Sequence, residues 1–282
     1  MMKFDHKAWF TLYQPDFHPD EYLYHFTSID KAVLILDSDS LRLSKITSMN
    51  DTLEAKPKMS KKNISSNGTV KRIFDEINKI NKNFIQLICF TKDTIVEKVA
   101  KDQITVLTDY SGRGFALPRM WAQYAHNNDG VCFVFNKSVL LSATHKQLGG
   151  NLISEGDIKY VSQYTPFNFN YEDSLQFLIN NNSEINKSFY FADFLKKNKE
   201  YTNYNYFFKL DDWLNENEFR ILAYGDENLV IKQISDSLVG VIIGEQIKPT
   251  DEKIIKYFCR DICEIKKIDF SYNGCALENI YD

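Results

Sequence analysis

Two short apolar runs constrain this chain more than any other feature. Phe84 to Phe90 reads FIQLICF and Val131 to Phe135 reads VCFVF, each about one strand long and each followed by polar residues. Runs of this size, rich in β-branched and aromatic residues, fit buried strands and are too short for helices. Further strands are predicted at Tyr22 to Phe26, at Leu41 to Ser44, and near 217–224, 229–234, 238–243 and 263–268. Helical periodicity lies between them. Ala32, Val33, Ile35 and Leu36 supply a short apolar face after the candidate N-cap Thr27-Ser28. Ile73, Phe74, Ile77 and Ile80 recur at i, i+1, i+4, i+7 and predict an amphipathic helix over 71–82. Pro118 stands where a first helical position would be and opens PRMWAQYA, which Asn127-Asn128-Asp129-Gly130 closes. A mostly helical stretch is expected at about 171–208, and a helix near 252–259. Strands and helices intermingle without regular βαβ alternation, so the expectation is one α+β domain over 1–282 with a helical insertion at about 171–208.

Composition sets the class. Hydrophobic residues make up 44% of the 282 positions, enough for a full core, and the 21 Phe and 16 Tyr add large buried areas. Thirty-four basic residues against 38 acidic ones give a formal charge of −4, which argues against wholesale wrapping by nucleic acid. A basic arm at about 56–83 departs from that balance: Lys56, Lys58, Lys61, Lys62, Lys71, Arg72, Lys79 and Lys82 stand against only Asp75 and Glu76. An exposed loop over 56–70 followed by a helix either steers an anionic macromolecule or is an ordinary solvated face. The opening MMKFDHKAWF has no apolar signal-peptide core, and no apolar run approaches the roughly 18 residues of a membrane span. Five irregularly spaced cysteines read as reduced thiols of a cytoplasmic protein. Cys259, Cys263 and Cys275 lack the second close pair and the later histidine of a zinc site, so no metal is expected.

Three blocks carry polar chemistry. In Tyr24-His25-Phe26-Thr27-Ser28, side chains two apart on a strand face the same way, so His25 and Thr27 can hydrogen-bond one ligand together. His25 as a satisfied strand-end histidine is the alternative. In Met120-Trp121-Ala122-Gln123-Tyr124, Trp121 and Tyr124 share a helix face, either as an aromatic wall for a flat ring or as core. In Trp213 to Leu222, an extended 216–222 would put Glu216, Glu218 and Arg220 on one face and Phe219 and Ile221 on the other. That row is a site or a surface ion-pair ladder, the latter worth at most about 1 kcal/mol. The common dinucleotide, P-loop, metalloprotease and nucleophile-elbow motifs do not occur. Cys89 and Cys132 lie in apolar strands, where thiols are usually inert.

Taken in order, YHFTSIDKAVLILDSDSLRLSKITSMNDTLE, LICFT, RMWAQYAHNNDGVCFVF and WLNENEFRIL resemble a large bacterial family of unknown function found among accessory and defence genes. The same order looks like the ADP-ribosyltransferase superfamily, including the DarT-type toxins, whose folds carry an H-x-T-like element on the first strand and a catalytic Glu, often as E-x-E, on a late one. The resemblance implies an ADP-ribosyltransferase-like mixed sheet core with helical insertions. It implies NAD as substrate, with Glu218 as the catalytic carboxylate and Glu216 orienting or deprotonating the acceptor. His25, Phe26 and Thr27 would meet the nucleotide, with Trp121 and Tyr124 near the nicotinamide and Arg42 or Arg220 on the pyrophosphate. The acceptor would be a nucleic acid or a protein, with an antitoxin or defence-system partner and no membrane. Two rival classes stay open: a non-enzymatic nucleotide- or nucleic-acid-binding module, and a metal-dependent nuclease-like effector.

Overall fold

The computed structural model describes residues 20–59, 64, 67–94, 110, 112–165, 167, 169–181, 183–271 and 274–280. The N-terminal half alternates β1 (Tyr22–Thr27), α1 (Ile29–Ser38), β2 (Ser40–Arg42), β3 (Ser44–Lys45), α2 (Gly68–Asn83) and β4 (Ile85–Thr91). After α3 (Pro118–Tyr124) come β5 (Val131–Asn136), α4 (Lys137–Leu148), β6 (Leu152–Asp157) and β7 (Lys159–Val161). Four helices come next: α5 (Tyr171–Leu175), α6 (Phe177–Asn180), α7 (Glu184–Lys197) and α8 (Lys199–Tyr206). The chain finishes with β8 (Phe208–Leu210), β9 (Glu218–Tyr224), β10 (Val230–Lys232), β11 (Leu238–Ile243), α9 (Pro249–Cys259), β12 (Glu264–Ser271) and β13 (Gly274–Asn279).

One large mixed sheet has the order β13-β12-β11-β5-β1-β4-β9-β6, with β3 also paired to β4. Hence the fold is α+β. Every residue of β5 is buried, which is why VCFVF carries no polar alternation. Its Phe133 and Phe135 pack with Leu23, Phe90 and Ile221 beneath α1, α4 and α9, while Cys132 and Val134 pack on the opposite face with Trp121 of α3. A second apolar cluster on Leu87 and Leu222 is covered by α2 and α5–α8. Helices therefore cover both faces of the sheet. β11 and β12 pair in parallel, and α9 makes the crossover that a parallel pair requires.

Several element boundaries differ from the sequence expectation for local reasons. The expected helix over 71–82 begins earlier, at Gly68, because the Asn67 side chain accepts from the N–H groups of Thr69 and Val70. The stretch expected as one strand at Leu41 to Ser44 divides between two sheets: β2 pairs with β10 and β3 with β4. The strand expected at 217–224 starts at Glu218, since Asn217 takes a left-handed conformation with φ 42°. Lys56 is exposed as expected, but residues 57–59 are not an exposed loop: Pro57 is buried, and Lys58 donates from its ammonium to the carbonyls of Asn205 and Phe208. Lys61 and Lys62 lie outside the described residues. The 171–208 stretch is helical through Tyr206, as its pattern predicts.

Two neighbouring strands separate part-way along their length. β1 pairs with β5 throughout, from Tyr22↔Asn136 to Thr27↔Val131. With β4 it shares only Tyr24↔Thr91, although β4 stays paired with β9 from Ile85↔Tyr224 to Thr91↔Glu218. Past Tyr24 the two strands diverge and open the sheet.

Gly130 holds the far end of β1 in place, because a Cβ there would lie 2.3 Å from the Thr27 carbonyl oxygen. Gly130→Ala should therefore destabilise the fold by about 1–3 kcal/mol, the usual cost of overpacking. Gly150→Ala, at a position with open space around it, should change little. Urea denaturation of both variants checks this, and equal midpoints would refute the close-approach argument.

Candidate functional site

Where β1 and β4 part, a cavity of about 630 Å³ opens, lined by Tyr24, His25, Phe26 and Thr27 on one side and Leu87 to Thr91 on the other. The volume lies within the ~300–1,000 Å³ range of small-molecule sites. The cavity runs along an open strand edge, so residues from both faces of β1 line it. Diverging strands also leave backbone groups without ladder partners. The His25 ring meets one of these, with Nδ1 3.1 Å from the Cys89 carbonyl. A carbonyl only accepts, so Nδ1 carries the hydrogen and Nε2 is left as an acceptor. Burial lowers the His25 pKa, opposed by the Cys89 hydrogen bond and reinforced by the nearby Lys31 charge, which favours this neutral form.

A buried charge cluster forms the cavity floor. The Lys209 ammonium sits 2.7 Å from Glu218 Oε2, 2.8 Å from Glu216 Oε2 and 3.1 Å from Glu54 Oε1. It also lies 5.1 Å from the centroid of the Trp213 ring. Arg220 grips the same carboxylates from behind: its Nε donates to Glu218 Oε1 at 2.7 Å and its Nη2 to Glu54 Oε1 at 2.6 Å. Its Nη1 donates to the Tyr206 carbonyl. Lys209, Arg220 and the three glutamates are all buried, which overturns the surface-ladder alternative for Glu218 and Arg220. Burial alone would raise the Glu218 carboxyl, but the Arg220 and Lys209 charges outweigh it and hold the pKa at about 2. Burial opposes the Lys209 charge in the same way, and Glu218, Glu54 and Glu216 together drive its pKa above the ordinary lysine value.

Local backbone explains how these groups meet. β8 carries Lys209 and pairs in parallel with β7, where Tyr160 stands opposite Lys209. The Tyr160 hydroxyl accepts from the Glu218 N–H at 3.0 Å and so ties β7 to the head of β9. Glu216 does not belong to an extended 216–222 as expected; it ends a 3₁₀ turn over Asp211–Glu216. The left-handed Asn217 brings it round so that Glu216 and Glu218 still share Lys209. Asn217 also donates to the carbonyls of Lys92 and Asp93. Glu54 arrives from the turn after Asp51, whose Oδ1 accepts from the Leu53 N–H.

Of the residues singled out from the sequence, His25, Phe26, Thr27, Arg42, Tyr124, Glu216 and Glu218 all line the cavity. Tyr124 donates its hydroxyl to Glu216 Oε1 at 2.5 Å, and burial, followed by the Glu216 charge, raises its pKa. Trp121 is core instead of an aromatic wall: fully buried, it stands edge-on to Phe26 and donates Nε1–H to the Phe115 carbonyl. Arg220 is sealed behind Glu218 with its donors on carboxylates and a carbonyl, so it does not reach a pyrophosphate in the cavity. Exposed Lys31 and Arg42 stand at the rim. Sequence reasoning missed Lys209 and Lys31. Glu54 had a signal, the N-D-x-x-E block, whereas Lys209 had only its place between two apolar residues of F-K-L. The basic arm loses much of its free charge: Lys71 pairs with Asp75, Lys79 with Glu76, and Lys58 is docked inward.

Residues 120–221 match a family described as "Protein of unknown function (DUF2971)". That span begins inside α3, contains Lys209, Glu216 and Glu218, and lies entirely after β1. No curated protein and no solved structure matches the chain. Among the described residues, no helix is long and apolar enough to cross a membrane.

The cluster makes two stability predictions. Arg220→Met leaves Glu54 and Glu218 buried with one cation fewer and should cost about 3–5 kcal/mol, the range for half of a buried ion pair, measurable by urea denaturation. A cost below about 1 kcal/mol would mean the cluster is solvated. Lys58 gives a pH effect of opposite sign to a paired lysine. Burial first, then the Arg220 charge, lowers its pKa from 10.5 to about 7, against the attraction of Glu54 and Asp51. Between those two values the unfolded chain binds this proton more strongly than the fold does, so stability should rise with pH from about 7 to about 10. In Lys58→Met that rise should shrink, as urea midpoints at about pH 7 and about pH 9.5 will tell; an unchanged rise would assign it to other groups.

Proposed function

We propose that this protein is an NAD-dependent ADP-ribosyltransferase of the toxin or phage-defence type, passing ADP-ribose to a nucleic-acid or protein acceptor. The observation that carries the reading is the convergence of His25 and Thr27 on the first strand with Glu218 at the head of a late one and Glu216 in the turn before it, all on one cavity. This is the juxtaposition that the superfamily resemblance implies.

The geometry suits the chemistry. Breaking the nicotinamide glycosidic bond develops positive charge on the ribose, as glycoside hydrolysis does. Glu218, anionic at any physiological pH, faces that charge and accepts from the ribose 2′-OH, interactions that strengthen toward the transition state. A carboxyl with a pKa of about 2 is a poor base, so its part is electrostatic. Nicotinamide leaves with the bonding electron pair, the acceptor's nucleophilic atom bonds to C1′, and the acceptor's proton passes to Glu216. His25 Nε2 accepts from a ribose hydroxyl, and Lys31 and Arg42 at the rim meet the pyrophosphate. The metal-dependent nuclease reading fits less well, because Lys209 already fills the centre that Glu54, Glu216 and Glu218 share. The binding-module reading is separated by turnover alone.

Incubation of the purified protein with labelled NAD, nucleic acid and lysate should move label to an acceptor and release nicotinamide. Glu218→Gln should reduce nicotinamide release by roughly 10²–10³-fold, the range for losing one electrostatic stabiliser of the transition state. Cleavage by the Gln variant at the parent's rate would remove Glu218 from the chemistry. Binding of NAD without release, with every acceptor offered, would favour the binding module.

A further inference from the structure

Glu216 is 3% exposed, and each of its carboxylate oxygens already has a partner: Lys209 donates to Oε2 at 2.8 Å and Tyr124 to Oε1 at 2.5 Å. The second contact has the short length of a hydroxyl donating to a carboxylate. Tyr124 ends α3 and is only half-buried, so its hydroxyl links the cavity to a carboxylate that is itself almost covered. The same hydroxyl oxygen accepts from the Asn50 side chain. A hydroxyl oxygen can accept two hydrogen bonds, and the second position has no partner among the described residues. The charges single out Glu216 as well. Glu54 and Glu218 each touch both Lys209 and Arg220, whereas Glu216 touches Lys209 alone. A proton placed on Glu216 therefore leaves Glu54 and Glu218 matched against Lys209 and Arg220.

We infer that Tyr124 is a catalytic residue, which takes the proton of an O–H acceptor docked on its hydroxyl oxygen and relays its own proton to Glu216. This rests on the transferase reading above and deepens it by giving the acceptor's proton a route. The acceptor oxygen bonds to C1′, and nicotinamide leaves with the electron pair of the broken C1′–N bond. The acceptor's proton passes to the Tyr124 oxygen while the tyrosine's proton passes to Glu216 Oε1. Burial, followed by the Glu216 charge, raises the Tyr124 pKa, so no tyrosinate accumulates and one proton leaves as the other arrives. The hydroxyl is a conductor and Glu216 the final base.

The test supplies NAD in water with and without methanol and measures ADP-ribose and its methyl glycoside. Tyr124→Phe keeps the ring and removes the hydroxyl. It should lower kcat for both products by roughly 10²–10⁴-fold, the range for a lost proton-transfer group, with KM for NAD within about twofold of the parent. Glu216→Gln should lose as much, and the double variant no more than either single one, because the two groups act as a unit. Two protons in flight should make the parent's rate curve against the deuterium fraction of the solvent. A tyrosine that only props Glu216 moves no proton and gives a straight line. An unchanged kcat in Tyr124→Phe, losses that multiply in the double variant, or a straight line each overturn the relay and leave the transferase reading standing. Should Tyr124→Phe not fold, the deuterium dependence of the parent decides alone. A parent that forms neither product removes the transferase reading, and the relay falls with it.

Discussion

The ammonium of Lys209, enclosed by Glu54, Glu216 and Glu218, joins three separate stretches of chain into one cavity floor. Three carboxylates this close would repel each other strongly in a buried setting, and without a cation at least one would take up a proton. Lys209 and Arg220 remove that repulsion while leaving an excess of negative charge. Each of the five groups is costly to bury alone, so the turn after Asp51, the short strand β8 and the head of β9 are held in one geometry by mutual need. The Tyr160 and Tyr124 hydroxyls extend the network to β7 and α3.

The open sheet is the second constraint. β1 does not stay beside β4, and their separation after Tyr24↔Thr91 makes the space in which a ligand fits. The strands are kept apart without collapse because each is fully paired on its other edge, β1 with β5 and β4 with β9. Apolar clusters on both faces fix those pairs. The rigid part of the fold thus supports an incomplete ladder, and the His25 ring answers one of the carbonyls that the gap leaves without a strand partner.

Much of this is legible in the residues alone. Strands such as β4 and β5 announce themselves because near-complete burial leaves little polar alternation, and the helix start at Pro118 reflects local backbone chemistry. The polar blocks around His25, Tyr124 and Glu218 are visible as residue types at fixed spacing. Less visible is whether they face outward or inward. Glu218 and Arg220 alternate with Phe219 and Ile221 just as an exposed ladder would, and only the helices α5–α8 and the turn at Glu54 show that this face is covered.

The sequence by itself determined the class of fold, most of its elements and which polar residues stood out, because those depend on periodicity, propensity and capping over a few neighbouring positions. Tertiary structure alone decided that Lys209 is the counter-ion of the floor, that Arg220 clamps a carboxylate instead of reaching the cavity, that Trp121 is core and that Lys58 turns inward. The reason is physical: the charge state and role of a buried ionisable group depend on what lies within a few ångströms, and here those neighbours come from segments far apart in the chain.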